Sequence, residues 1–243
     1  MATVTPSETS GLAGASVLVA LPGTGSDADY ARRAFTPLAD ALGLPLAAVD
    51  PGPDGVETAY LRALEGAAAG DGSVLVAGIS IGACVGVGWA LESDACAGVV
   101  AAMPPWLFDG QSAPSPAALS ALATVDLIDR LGIDGATAEM RVNTPAWLGE
   151  ELARSWRSIG APLRSQLGEA AAMRTPTAGM LSALGVPLAV VGVRADPIHP
   201  HHIAEHWAHL APRSALRSIT FDAWGDDPGT IGRAAASAWA ELA

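Results

Sequence analysis

Cysteine is nearly absent, with only Cys84 and Cys96 in 243 residues. Two cysteines do not make a disulfide framework. Cys84 falls in an apolar helical stretch, so both read as reduced core residues of a cytoplasmic protein. Charge is sparse too, and cations most of all: 13 basic residues stand against 25 acidic ones, a net charge of −12. That deficit argues against a phosphate-neutralising nucleic-acid surface. No uninterrupted strongly apolar run reaches the roughly eighteen residues of a membrane span, so no membrane partner is expected. The opening MATVTPSETSGLAG lacks the basic-then-apolar order of a secretory leader, and no signal peptide is expected. There is no internal repeat. No phosphate-binding glycine motif, flavin or nicotinamide fingerprint or thiolate cluster occurs, so neither cofactor nor metal is expected.

What is present fits one sizeable globular domain: half of the residues are hydrophobic, and the length is ample for a core. After a polar lead-in over residues 1 to about 14, SVLVAL at 16–21 is a short apolar run, as expected of a buried parallel strand. Pro22-Gly23-Thr24-Gly25 ends it. Ser26 is placed to cap a helix whose first turn holds Asp27 and Asp29, and whose Tyr30, Ala34, Phe35, Leu38 and Leu42 share one face. A second strand over 44–49 and a helix opened by Asp54 and Glu57 follow. Further strands are expected at the run beginning Ser73, at 97–102, at 187–193 and at 216–221. Pro200 suits the first position of a helix with Ile203, Trp207 and Leu210 inward, and Asp227-Pro228 suits the start of the closing one. The pattern predicts an α/β fold, a mostly parallel sheet of about six strands flanked by helices. Residues 107–175 carry helical patterns without a convincing strand. Their stripe Trp147, Leu148, Leu152, Trp156 reads as core of that helical segment in preference to an acyl-binding wall.

The chain is organised around Ser73–Leu91, SVLVAGISIGACVGVGWAL. An apolar strand enters Gly78-Ile79-Ser80-Ile81-Gly82 and a small, apolar helix leaves it. Glycine at both flanks removes the Cβ atoms that would collide there. A GxSxG string in this setting is the nucleophile elbow, which holds a serine on a tight strand-to-helix turn. By this motif, and over nearly its whole length, the sequence resembles the α/β-hydrolases. The resemblance implies a helical cap at 107–175 and a serine nucleophile at Ser80. It implies oxyanion donors at the backbone N–H of Ile81 and of Thr24, in the loop where the family keeps a His-Gly pair and this chain has Pro22-Gly23. It also implies an acid at Asp196. The family's first strands, ahead of the oxyanion loop, have no counterpart before Ser16.

The base departs from the pattern. The family's histidine follows the last strand, where this chain reads Phe221-Asp222-Ala223-Trp224-Gly225-Asp226-Asp227, and all five histidines lie within 199–209. His199 is the candidate base, three residues after Asp196. The string Asp196-Pro197-Ile198-His199-Pro200 resembles a variant ending of some bacterial α/β-hydrolase-like proteins, and His199 read blandly is a helix-start residue. Asp226 or Asp227 could instead act as an unconventional partner. His202, His206 and His209 share one flank of a helix, but no glutamate adjoins the first as a zinc-protease motif requires, so a solvated flank is expected. The reading is a serine-dependent hydrolase of a small-molecule ester or thioester with an apolar acyl part. A non-catalytic hydrolase-like binding protein and an acyltransferase are its alternatives.

Overall fold

The computed structural model describes residues 14–69, 72–108 and 114–242. All but the last residue of the expected lead-in falls outside them. In chain order the elements are β1 (Val17–Leu21), α1 (Ala28–Leu42), β2 (Leu46–Ala48), α2 (Val56–Ala68), β3 (Val74–Ile79), α3 (Ile81–Ala90), β4 (Cys96–Ala102), α4 (Pro116–Val142), α5 (Ala146–Ile159), α6 (Leu163–Ala172), α7 (Ala178–Ser182), β5 (Leu188–Arg194), α8 (His201–Leu210), β6 (Ser214–Thr220), α9 (Phe221–Asp226) and α10 (Gly229–Ala240). The strands form a six-stranded sheet in the order β2-β1-β3-β4-β5-β6, and every pairing is parallel.

The apolar runs of the sequence are continuous because the sheet is covered on both faces. Successive residues of a strand alternate between them. Val19 and Leu21 of β1, Val74 and Val76 of β3 and Val99 of β4 join a core with α2, α3 and α8. Leu18 and Ala20, Leu75 and Ala77, and Val100 join the opposite core with α1 and α10.

Several expected boundaries move. Asp27, not Ser26, caps α1: its carboxylate accepts the Tyr30 amide at 3.1 Å. Pro200 is the cap residue of α8 and not its first turn. The stretch after β6, expected as a loop, is the short helix α9, capped by the Thr220 hydroxyl on the Ala223 amide. Between β4 and β5 the described residues contain four helices, α4 to α7, and an isolated bridge of Phe108 with Thr177. A left-handed Gly132 kinks α4.

The turn from β3 into α3 has no room for side chains at its flanks. A Cβ on Gly78 would lie 2.2 Å from the carbonyl carbon of Gly82, and one on Gly82 would lie 2.5 Å from the Leu21 carbonyl oxygen. Gly88, one helical face further on, meets nothing within 4 Å. Gly78→Ala is therefore expected to destabilise the fold by at least about 3 kcal/mol through backbone overlap. Gly88→Ala in the same helix should stabilise it by about 0.5–1 kcal/mol. Urea midpoints of the two variants against wild type check the contrast.

Candidate active site

Ser80 stands at this turn with φ 52° and ψ −110°, a left-handed backbone rare outside glycine. Its amide donates to the Ala102 carbonyl of β4 at 2.9 Å, and its carbonyl accepts the Ala83 amide at 3.0 Å. The backbone thus opens α3, while the hydroxyl makes no capping bond to the helix. That hydroxyl lies 3.0 Å from His199 Nε2, and His199 Nδ1 lies 2.8 Å from Asp196 Oδ2. A carboxylate only accepts hydrogen bonds, so Nδ1 carries the proton and Nε2 is free to accept from Ser80.

His199 and Asp196 sit on one short loop between β5 and α8. Asp196 Oδ1 accepts the amides of Ile198 at 2.8 Å and His199 at 3.2 Å, which folds the loop back on its own carboxylate. Burial opposes ionisation of Asp196, but the His199 imidazole and these two amides outweigh it and hold the carboxyl below its ordinary range. Asp196 is 7% exposed and Ser80 6%. Pro197 and Pro200 flank the turn. Ala195 before it takes φ 63°, and Met103 after β4 takes φ 50°. Ser80, Met103 and Ala195 are the described non-glycine residues with positive φ, and all three border one cavity. Backbone strain gathered in this way is a mark of a functional site.

Thr24 borders the same cavity, on the loop after β1. A Cβ on Gly23 would lie 3.6 Å from that of Ser80, so the loop runs alongside the serine. Its shape is held by a turn, Ser26 amide to Gly23 carbonyl at 3.1 Å, and by the buried Tyr60, whose hydroxyl donates to the Pro22 carbonyl at 2.9 Å. Ile81 is the first residue of α3, so no helical carbonyl lies one turn back to accept its amide.

The overall fold was compared with known structures. It is similar to a hydrolase from Oleispira antarctica, at 15% identity over 94% of this chain and 90% of that one, with a TM-score of 0.70. It is also similar to MenH from S. aureus, at 17% identity over 93% and 94%, with a TM-score of 0.69. The chain has the α/β-hydrolase fold. A thermophilic esterase from Thermogutta terrifontis is a further likeness, at 18% identity over 94% and 91% and a TM-score of 0.67. No family model and no curated protein matches the sequence.

In this version of the α/β-hydrolase fold, α9 occupies the place after the last strand. It turns Phe221 and Trp224 into the cavity wall, where they pack against Trp147 at centroid distances of 5.3 and 4.9 Å. Asp227, just ahead of α10, accepts the Gly229 amide at 2.8 Å and pairs with Arg233. Of the expected stripe, Leu148, Leu152 and Trp156 border the cavity, and Leu152 and Trp156 also belong to the small core of α4–α6. The stripe is therefore both wall and core, because a thin helical layer has one side toward the sheet. The Trp156 indole rests over Gly25, its Nε1 buried without a hydrogen-bond partner.

His202 and His206 stack edge to face on an exposed flank of α8, 5.8 Å between centroids, and among the described residues no three potential ligands converge. The histidine that sequence reasoning passed over is His201, whose Nε2 lies 2.7 Å from Ser218 Oγ and whose Nδ1 lies 3.3 Å from Glu205. This second serine–histidine pair fastens α8 to β6. Both cysteines are free and buried, and burial pushes the Cys96 thiol up to about 11. No described helix is long and apolar enough to cross a membrane.

Polar contacts invisible to sequence reasoning fix α4–α6 over the site. Glu169 of α6 accepts the amides of Val56 and Glu57 at 2.8 and 2.9 Å, capping α2, whose own Gly55 offers no side chain. Arg154 of α5 grips both oxygens of Asp27 at 2.8 and 2.7 Å, and Arg33 of α1 reaches back to Glu151 at 2.8 Å. Burial would raise the Asp27 carboxyl, but Arg154, the Tyr30 amide and Arg33 together bring it below its ordinary value. A carboxyl lowered in the folded state contributes stability that is present above about pH 4 and lost as pH falls through the lowered value. Arg154→Ala is expected to cost about 1–3 kcal/mol at neutral pH, since it leaves Asp27 buried without its cation. The gap to wild type should narrow as pH falls, because Asp27 without Arg154 takes up its proton at a higher pH than the lowered wild-type carboxyl does. Urea unfolding of both proteins across this range tests it.

Proposed function

We propose that this chain is a serine-dependent hydrolase of a small ester or thioester with an apolar group. The observation that carries the reading is the hydrogen-bonded relay of Ser80, His199 and Asp196 beside a cavity of about 530 Å³. In this reading the α4–α6 segment is the cap. Its apolar residues and the wall of Phe221 and Trp224 would exclude water and bind the apolar part of the substrate.

His199 Nε2 takes the proton of Ser80 as Oγ attacks the carbonyl carbon, and the Asp196 carboxylate stabilises the imidazolium that forms. The amides of Thr24 and Ile81 receive the negative charge on the former carbonyl oxygen, the second at the positive end of α3. His199 then gives its proton to the leaving oxygen or sulfur, and the acyl group stays on Ser80. A water deprotonated by His199 releases the acid and restores the serine. The binding-protein alternative drew its force from the missing histidine after β6. A histidine in hydrogen-bond contact with Ser80 from another loop removes that ground.

A fluorophosphonate probe read by intact mass tests the assignment. The wild type is expected to gain one adduct and Ser80→Ala none. His199→Ala should label at least about a thousandfold more slowly, as loss of a triad base does. Ser218→Ala should label like the wild type, because the Ser218–His201 pair has no part in the reaction. A folded wild type that stays unlabelled defeats the hydrolase reading, and undiminished labelling of His199→Ala defeats the choice of base.

A further inference from the structure

Ser80 lies between two hollows of unequal size. The larger is the 530 Å³ cavity under the cap; the smaller, about 40 Å³, is walled by Ile81, Cys84, Pro105, Ser115 and Met173. Ser80 and Thr24 border both. His199 and Asp196 border only the larger, and Ile81 only the smaller.

On the serine-hydrolase reading, on which this inference rests, these borders acquire a direction. When Ser80 Oγ has bonded to the carbonyl carbon, that carbon carries an oxyanion, a leaving oxygen and an acyl chain. The oxyanion belongs to the amides of Thr24 and Ile81. The leaving oxygen must take its proton from His199 Nε2 as its bond to carbon breaks, so it lies on the His199 side. The group it carries therefore extends into the larger cavity. The acyl chain takes the remaining direction, away from His199 and past the two oxyanion donors into the smaller hollow that they border. A water needs roughly 10–15 Å³ by this measure, so the hollow holds about three non-hydrogen atoms. The larger cavity has no arginine among its described lining residues, and the chain has no lysine at all. The charged carboxylates on its wall are Glu151 and Asp196.

We infer that the substrates are esters of a short acid, acetyl to butyryl in size, with a bulky, apolar, uncharged alcohol. This places the apolar bulk on the leaving group, where the sequence had suggested the acyl part.

Two isomers separate the orientations, since they contain the same atoms with the ester reversed. They are 2-naphthylmethyl acetate and methyl 2-naphthylacetate, each rate normalised to its hydroxide hydrolysis. The acetate is expected to have a kcat/KM at least about tenfold higher, the scale on which a pocket discriminates by size. Met173→Ala, which opens the smaller hollow, should raise the rate on 2-naphthylmethyl hexanoate relative to the acetate. A carboxylate on the far ring of the acetate should lower kcat/KM by at least about tenfold, because no cation receives it. Equal rates on the isomers, or preference for the methyl ester, overturn the inference, as does an unchanged chain-length profile in Met173→Ala. Equal turnover of the carboxylated ester overturns the uncharged requirement. Fluorophosphonate labelling of the same preparation keeps the two readings apart. If Ser80 labels while the isomers fail the test, the orientation falls and the hydrolase reading stands. If Ser80 does not label, the hydrolase reading itself falls.

Discussion

The carboxyl edge of the sheet depends on a contact in which two glycines leave no space. Gly78, at the end of β3, sits against the backbone of Gly82 in the first turn of α3, and Gly82 in turn sits against the Leu21 carbonyl at the end of β1. The chain between them has to reverse so tightly that Ser80 adopts a backbone few side chains tolerate. The cost is of the order of 1–3 kcal/mol, and it is sustained because strands buried on both faces hold the ends of the turn. The same closeness brings the β1 loop, with Gly23 and Thr24, alongside the serine.

A second constraint sets the orientation of His199. Asp196 and His199 are three residues apart, so one carboxylate can bind the imidazole with one oxygen and two loop amides with the other. Orientation of the histidine is therefore a local property of the five residues Asp196–Pro200, two of them prolines. The usual arrangement in this fold, as the family resemblance has it, draws acid and base from different loops and relies on the sheet to align them. On the proposed reading, the stretch after β6 carries no part of that pair. It winds into α9, and its aromatic residues become wall.

How far the sequence could be read follows from how local each feature is. Ser80 was legible because a strand, a tight turn and a helix follow one another within the motif. Asp196 and His199 were legible as candidates for the same reason, although nothing local brings Ser80 within 3.0 Å of a residue 119 positions away. The expected Ser26 cap gave way to Asp27 for want of a local signal, since both are good caps; Asp27 makes the bond to the Tyr30 amide and also meets Arg154, 127 residues further on. Glu169 capping α2 across 113 residues leaves no pattern in either segment. Tyr60 read as an ordinary core aromatic, and burial does describe it, yet its hydroxyl fixes the Pro22 carbonyl. The helix α9 is too short for periodicity to declare it.

The placement of those long-range contacts bears on the proposed chemistry. In a parallel α/β sheet each helix begins at the carboxyl edge, so the amide-rich ends of α1, α2 and α3 all open toward the same side. Two of these ends are covered by carboxylates: α1 by its own Asp27, which Arg154 of α5 holds, and α2 by Glu169 of α6. The third, α3, begins at Ser80 without a side-chain cap. Its free amide end is the one to which negative charge would come in the reaction. On the proposed reading, α4–α6 are thus fastened through helix ends that take no part in the chemistry, and they leave without a side-chain cap the one that would.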